Sequence, residues 1–422
     1  MVSIFDFNNT ERFFKGHQSK VTSVCIGGWD MDKVITGSMD KTARTWGSLA
    51  VYRTKPDPSF LQDGVMDMGE MPRCHVTSMC HVNNGPYQTY LITASSDKIA
   101  RMWSTGASRG GADGKTPGKN EVVREFKGPL VEKFRKATEF EISMPHVREL
   151  RRGNDGNMYS VTKHNPMVLA VCVTMDGKHL ITGSDDKTAR MWSLEDGRMV
   201  REFKGHDGDE YLTTRFVSSV CTTLDGKYLI TGYTSNYMHM VNNPPPYSGD
   251  STACMWSLED GTMVREFKGH ENYVTSVCLI REKKYRDEDQ TWWTLEYLIT
   301  GSDDKTARMW SLETGNCLHV FKGHENYVTS VCTTLNGKYL ITGSSDKTAI
   351  MWSLEHLALK NSHVKSHRHL FGRMVREFQH ESSVNSVCTI LHGDKEYLIT
   401  GSDDKMARMW SLEDVTCGCT IM

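Results

Sequence analysis

Seven times along this 422-residue chain an Asp is followed six residues later by a Trp, as in the run Thr300 to Trp310, which reads TGSDDKTARMW. The pairs are Asp40/Trp46, Asp97/Trp103, Asp186/Trp192, Asp250/Trp256, Asp304/Trp310, Asp346/Trp352 and Asp404/Trp410, and they take seven of the ten tryptophans. A spacing kept this strictly marks an internal repeat, and periods of about 40 residues belong to propellers or solenoids.

Each repeat holds a β-branched run such as Val274 to Cys278, a turn such as Asp225-Gly226-Lys227 or Asn336-Gly337-Lys338, then Tyr-Leu-Ile-Thr and the Trp segment. Apolar segments alternating with tight Gly turns are strands in hairpins. Between repeats a segment such as Met263 to His270, MVREFKGH, supplies a fourth strand ending in Gly-His. A four-stranded sheet cannot bury both faces alone, so the units must stack. The expected fold is all-β: a seven-bladed β-propeller of four-stranded antiparallel blades. The seventh repeat reaches its third strand at 406–411 with eleven residues left, and Thr10 to Phe14 stands before Gly16-His17 as MVREF stands before its own Gly-His. Residues 1–14 are therefore expected to close blade seven, 15–411 to form the ring, and 412–422 to leave it as a tail.

Charge and composition exclude several classes. The formal net charge is -2, with neither the basic excess of a nucleic-acid binder nor any stretch near the roughly 20 apolar residues of a membrane-spanning helix. The first residues, MVSIFDFNNTERFF, lack the basic start and apolar length of a signal peptide. Cys25, Cys80, Cys172, Cys221, Cys278, Cys332 and Cys388 hold one strand position in seven repeats. They are expected in separate blades as small buried hydrophobes, in a reducing compartment.

These motifs resemble the WD-repeat family over nearly the whole chain, with Trp-Ser-Leu-Glu in place of the usual Trp-Asp ending. The resemblance implies a hydrogen-bonded tetrad of the Gly-His histidine, a strand Ser/Thr, the turn Asp and the Trp. It falls on His17, Thr36, Asp40 and Trp46; His164, Thr182, Asp186 and Trp192; His270, Thr300, Asp304 and Trp310; His324, Thr342, Asp346 and Trp352; and His380, Thr400, Asp404 and Trp410. Repeat two has Pro72 at the His position, and repeat four places His206 before a longer loop. A Thr, a His and an Asp together can look like a hydrolase triad. The same trio recurring in blade after blade is structural, since catalysis needs one copy in one pocket. No phosphate loop, zinc spacing or nucleophile elbow appears, so the chain reads as a non-enzyme without a cofactor.

The sequence ends in Cys419-Thr420-Ile421-Met422, a C-a-a-X box whose Met favours a farnesyl group. One isoprenoid binds membranes only marginally, and Cys417 is a candidate for a second lipid. In a meander the turns after strands one and three share one face, the bottom by family convention, and those after two and four share the top. The tail leaves the bottom. So do three insertions: 105–119; 281–293, expected as a turn with Trp292 and Trp293; and 355–372, with Lys360, Lys365 and Arg368 beside three histidines, His363, His367 and His369. Those histidines have no carboxylate or cysteine nearby and suit a titratable basic loop better than a metal site. Trp29 also falls on the bottom face, where tryptophans serve as interfacial anchors or pack on their own turns. On the top, residues 129–166 are expected to form short basic helices at 130–137 and 147–152 or a disordered spacer, and 232–249 reads as a recognition loop or rigid spacer.

Family resemblance also implies partner contacts around the top of the channel. It selects Lys20, His75, Met167, Phe216, Tyr273, Tyr327 and Ser383, with Thr22, Thr77, Leu169, Ser218, Thr275, Thr329 and Asn385 beside them. The residues before the turn Asp are Met39, Ser96, Asp185, Gly249, Asp303, Ser345 and Asp403. Phe216, Tyr273 and Tyr327 beside Asp303 suit an Arg or Lys side chain. The sequence thus reads as a monomeric cytoplasmic scaffold tethered to the cytosolic leaflet, with protein or peptide partners on its top. Two alternatives are a substrate receptor of a ubiquitin ligase, which often ends its blades Trp-Asp-x-Arg, and a G-protein β-like subunit, whose helical N-terminus has no counterpart here.

Overall fold

In the computed structural model, residues 12–27, 33–46, 62–67, 75–83, 89–104, 122–128, 131–136, 149–152, 158–164, 167–204, 215–235, 251–286, 291–354, 372–392 and 395–412 are described, and all their regular structure is strand. Each Thr-Gly-Ser strand pairs on one side with the Val-rich strand before it and on the other with the Trp strand after it. Blade five shows the pattern, with Val274–Arg286, Thr291–Ser302, Thr306–Ser311 and Cys317–Lys322 in antiparallel order from the inside out. Seven such four-stranded sheets occur, and their innermost strands touch in a closed circle in which the seventh meets the first. Arg12–Lys15 supplies the outermost strand of blade seven, with Phe14 opposite Ala407. Chain ends joined in one sheet leave no free edge between first and last blades.

The seams between blades set the sequence. Six of the strand-two positions are glycines, and a Cβ on Gly37, Gly183, Gly232, Gly301, Gly343 or Gly401 would stand 2.6–3.0 Å from the Cγ1 of the next blade's inner valine. Blade two has Ala94, fully buried in a cluster with Val168 and Val171. Further out, the Phe of each MVREF-type strand packs against the next blade's Trp, with ring centroids from 5.3 Å (Phe378–Trp410) to 6.3 Å (Phe203–Trp256). Phe14 reaches Trp46 across the closing seam at 5.6 Å. Burying a side chain of this size contributes about 2–3 kcal/mol. The seven cysteines line these seams as free thiols, and burial pushes Cys25, Cys172 and Cys278 up to about 12.

Every inner strand carries a bulge at the same place, as between Val274 and Ser276. The extra residue leaves the ladder, and its side chain ties the blade to its neighbour. Thr22 donates to the carbonyl of Val76 at 2.5 Å, Thr77 to Val168 at 2.8 Å, Ser218 to Val274 at 2.8 Å, Thr275 to Val328 and Thr329 to Val384 at 2.5 Å each. Asn385 completes the circuit to Val21 at 2.9 Å. The next residue is usually Ser and accepts from the following blade, as Ser219 does from the amide of Val277 at 3.0 Å. Blade three has Leu169 and Ala170 at these two positions, so its seam with blade four lacks both ties.

Two insertions differ from expectation. The basic segments in 129–166 form strands rather than helices: Val131–Lys136, Met158–His164 and Glu149–Arg152 make a three-stranded antiparallel sheet. Pairing with the β-branched third strand outweighs the weak helical spacing of each short segment. Residues 281–286 and 291–293 are not a turn but a continuation of blade five's first hairpin, paired as far as Arg286 opposite Thr291. Tyr, Trp and Thr at these positions favour an extended ribbon.

If the bulge side chains hold the ring, Thr275→Val should lower unfolding stability by about 1–3 kcal/mol, the cost of a buried carbonyl losing its partner. Leu169→Thr should move it the other way. Urea denaturation of both variants checks the signs.

Candidate functional site

The Asp turn joins strands two and three of a blade and faces the Gly-His segment that precedes the same blade. The residue after the Asp adopts a left-handed backbone, with φ between 68° at Lys305 and 79° at Lys98. This tight turn lets Asp304 Oδ1 accept from the Thr306 amide at 2.9 Å and hydroxyl at 2.6 Å. Its Oδ2 meets His270 Nδ1 at 2.7 Å, His270 Nε2 meets Thr300 Oγ1 at 2.6 Å, and Trp310 Nε1 donates to Thr300 at 2.8 Å. Since a carboxylate only accepts, Nδ1 carries the proton, and the chain runs in one direction from Trp through Thr and His to Asp. Blade one repeats it, with His17 to Asp40 at 2.8 Å and to Thr36 at 2.7 Å. Blade six does the same, with His324 2.7 Å from both Asp346 and Thr342. Burial would raise Asp40, Asp304 and Asp346, but the histidine and hydroxyl bonds outweigh it and hold all three well below the usual carboxylate range. Burial also lowers His270 against the pull of Asp304.

Other blades satisfy the Asp differently. Arg190, four residues after Asp186, pairs with it at 2.5 Å and with Glu202 at 3.0 Å, almost fully buried. Arg101 meets Asp97 at 2.5 Å and Arg408 meets Asp404 at 2.6 Å. In blade seven His380 keeps Thr400 at 2.8 Å, but its Nδ1 lies 3.1 Å from the Phe378 carbonyl instead of on Asp404. Position 164, expected to serve Asp186, stands in the inserted sheet opposite Val131, and its side chain is outside the described residues. Where His reaches the Asp, the Arg stands off, at 4.0 Å in blade one and 3.7 Å in blade five. The signal for these ion pairs lies in the sequence, an Arg four residues after the Asp in five repeats.

The two sets of family-implied partner positions meet in pairs. The amide of the residue before the Asp donates to the carbonyl of the residue before the inner valine: Met39 to Lys20, Ser96 to His75, Asp185 to Met167, Asp303 to Tyr273, Ser345 to Tyr327 and Asp403 to Ser383, at 2.9–3.1 Å. Six blades thus present a matched pair on the face that carries the turns. Asn272 and Asn326 accept from the amides of Tyr273 and Tyr327 at 2.9 Å and fix these two turns identically. Phe216, Tyr273 and Tyr327 are half-buried, and Met39 is 40% exposed. Asp185 accepts from the Met167 amide at 2.7 Å. Asp403 is held by Lys20 of the neighbouring blade at 2.5 Å and by Asn385 at 2.7 Å. Asp303 has no such partner among the described residues, and burial together with adjacent Asp304 raises it to about 6. The flanking set from Thr22 to Asn385 differs: its polar members tie blade to blade.

Of the positions expected near a membrane, Trp292 and Trp293 lie in the extended hairpin. Lys360, Lys365, Arg368, Cys417 and Cys419, like Trp29 and Gly249, fall outside the described residues. Among the described residues no cluster of His, Cys, Asp and Glu could hold a metal, and no helix is long and apolar enough to cross a membrane.

A closed ring of seven blades with Asp turns and paired positions on one face defines a β-propeller. The profile described as WD domain, G-beta repeat matches residues 8–47, 70–104, 156–193, 261–311, 315–353 and 372–411, more than half of the chain. The chain belongs to this WD-repeat family, whose propellers are typically protein-interaction scaffolds. WD repeat-containing protein pop1 of Schizosaccharomyces pombe is 27% identical over 37% of this chain and 22% of its own length. Nuclear distribution protein nudF 1 of Talaromyces marneffei is 27% identical over 42% and 32%, and human WD repeat-containing protein 37 is 23% identical over 57% and 40%. The chain therefore spans well under two thirds of these relatives.

Buried His380 makes the fold acid-sensitive in a defined window. Burial and nearby Arg408 lower His380 to about 4, against about 6.5 unfolded. Unfolded chains therefore bind the proton first, and stability falls from about pH 6.5 to about 4, by on the order of 3 kcal/mol for this residue. The Asp40, Asp304 and Asp346 contributions are present above about pH 4 and are lost only as pH falls further, through their depressed values. Urea unfolding of wild type and His380→Gln across this range should show the slope and its partial loss.

Proposed function

We propose that this chain is a non-enzymatic scaffold that captures a protein segment on its turn-bearing face, through a cationic side chain seated at Tyr273, Tyr327 and Asp303. The observation that carries this is the Asp303 carboxylate, half-buried beside Tyr273 without a partner among the described residues. A guanidinium or ammonium group there would stack on the aromatic faces and neutralise the carboxylate. Phe216, Lys20, Met39, Met167, Asp185 and Asp403 extend the contact surface around the ring. Partner capture should drop at least tenfold in Tyr273→Ala/Tyr327→Ala, while thermal unfolding stays near wild type. Binding should also weaken as pH falls through about 6, where Asp303 gains a proton. Pull-down unchanged by the double substitution, or binding that strengthens in acid, would rule the site out.

The same reading includes a lipid tether on the cytosolic leaflet. With Met422 as the carboxyl terminus of the cellular protein, Cys419-Thr420-Ile421-Met422 is a substrate for prenyl transfer. The tail follows Met406–Ser411, the third strand of blade seven, so the lipid would sit opposite the partner face. Trp292, Trp293, Lys360, Lys365 and Arg368 would then meet the bilayer, and Cys417 could take a second chain. Cys419→Ser should shift the protein from the membrane to the soluble fraction without changing its melting temperature. Intact mass of the wild type lacking an isoprenoid would end the proposal.

A further inference from the structure

The sheet inserted between blades two and three has a charge pattern unlike the chain around it. Its 17 residues in Val131–Lys136, Glu149–Arg152 and Met158–His164 hold six Lys and Arg against two Glu, a net of +4, in a chain whose net charge is -2. The strand register sorts these charges by face. Directly opposed positions share a face, and successive positions alternate. Thr162 is opposite Lys133, Ser160 lies between Arg135 and Leu150, and Met158 is opposite Arg152. That face collects three cationic positions and two hydroxyl-bearing ones, with no carboxylate. Glu132 and Glu149 fall on the other face, in the rows that hold Phe134, Val161 and Lys163.

The sheet order places Met158–His164 in the middle, so Val131–Lys136 has one paired side and, among the described residues, one unpaired edge. Such an edge offers a row of N–H and C=O groups to an incoming strand. We infer that this edge captures an acidic extended segment of a partner protein. The added strand would set alternate side chains opposite Lys133 and Arg135, on the face without carboxylates. Main-chain bonds would give affinity and the two cations selectivity for Glu or Asp. A peptide fits better than a nucleic acid, which has no main-chain amides to complete the ladder and draws its affinity from neutralising many phosphates.

The test uses the full chain and a short fluorescein-labelled peptide rich in Glu and Asp, with an oligothymidylate and phosphatidylserine vesicles as parallel probes. The peptide should bind, and Lys133→Glu/Arg135→Glu should weaken it about tenfold or more, the scale of one charge-assisted contact. Lys136→Glu/Lys163→Glu, an equal charge change on the opposite face, should cost less than about threefold. Lys133→Gln/Arg135→Gln gives the same reading should charge reversal disturb the sheet. Equal losses from both faces, no peptide binding, or tighter binding of the oligonucleotide or vesicles would overturn the inference. Tyr273→Ala/Tyr327→Ala keeps this sheet and should bind the peptide like wild type, so this proposal and the channel-mouth site fail separately.

Discussion

Everything in this ring depends on how closely the innermost strands of neighbouring blades approach. The valine of one blade presses against the Thr-Gly step of the blade before it, at a distance that excludes a Cβ at six of seven seams. Apolar contact at that distance is strong but does not resist sliding. The bulge residue supplies direction: released from its own ladder, it donates to a carbonyl across the seam. Packing and hydrogen bonding therefore hold the same joint, and the next blade's Trp adds a third contact at larger radius. Blade three has the packing without the bulge hydroxyl, so a joint can survive on apolar contact and glycine alone.

The Asp turns show a second solution reached two ways. A carboxylate half-buried in a left-handed turn needs a counter-group, and the fold supplies either a histidine backed by Thr and Trp or an arginine from the strand that follows. Histidine wins where the Gly-His segment docks over the turn, as in blades one, five and six. Arginine takes over in blades two, three and seven. With either counter-group the turn keeps one backbone form, and six blades present their paired positions across the same main-chain hydrogen bond. Variation at those positions then changes chemistry without changing geometry. Asp403 closes on Lys20, Asp185 on a main-chain amide, and Asp303 has no side-chain counter-group among the described residues.

The ring and its insertion differ in charge pattern. The turn-bearing face carries the paired positions, and the inserted sheet adds a basic edge outside the blade pattern. Opposite that face the first hairpin of blade five is longer than that of any other blade among the described residues.

What the sequence by itself determined is the blade unit and its number. Asp and Trp at fixed spacing, Gly turns and alternating strands specify seven blades, and the orphan third strand of repeat seven calls for a strand at Thr10 to Phe14, which the structure places at Arg12–Lys15. These are local patterns, readable because each strand's period and each turn's backbone demand are encoded within a few residues. Tertiary structure decided what depends on ring geometry. Thr275 looks like any strand threonine until the bulge turns it toward Val328, 53 residues away. Arg190 and His380 are ordinary side chains until the seam sets which counter-group each carboxylate can reach. The strands at 131–136 and 149–152 carry weak local signals, and only pairing with 158–164 settles their form. Such choices turn on distances of a few ångströms between residues tens of positions apart, and those exist only once the ring has closed.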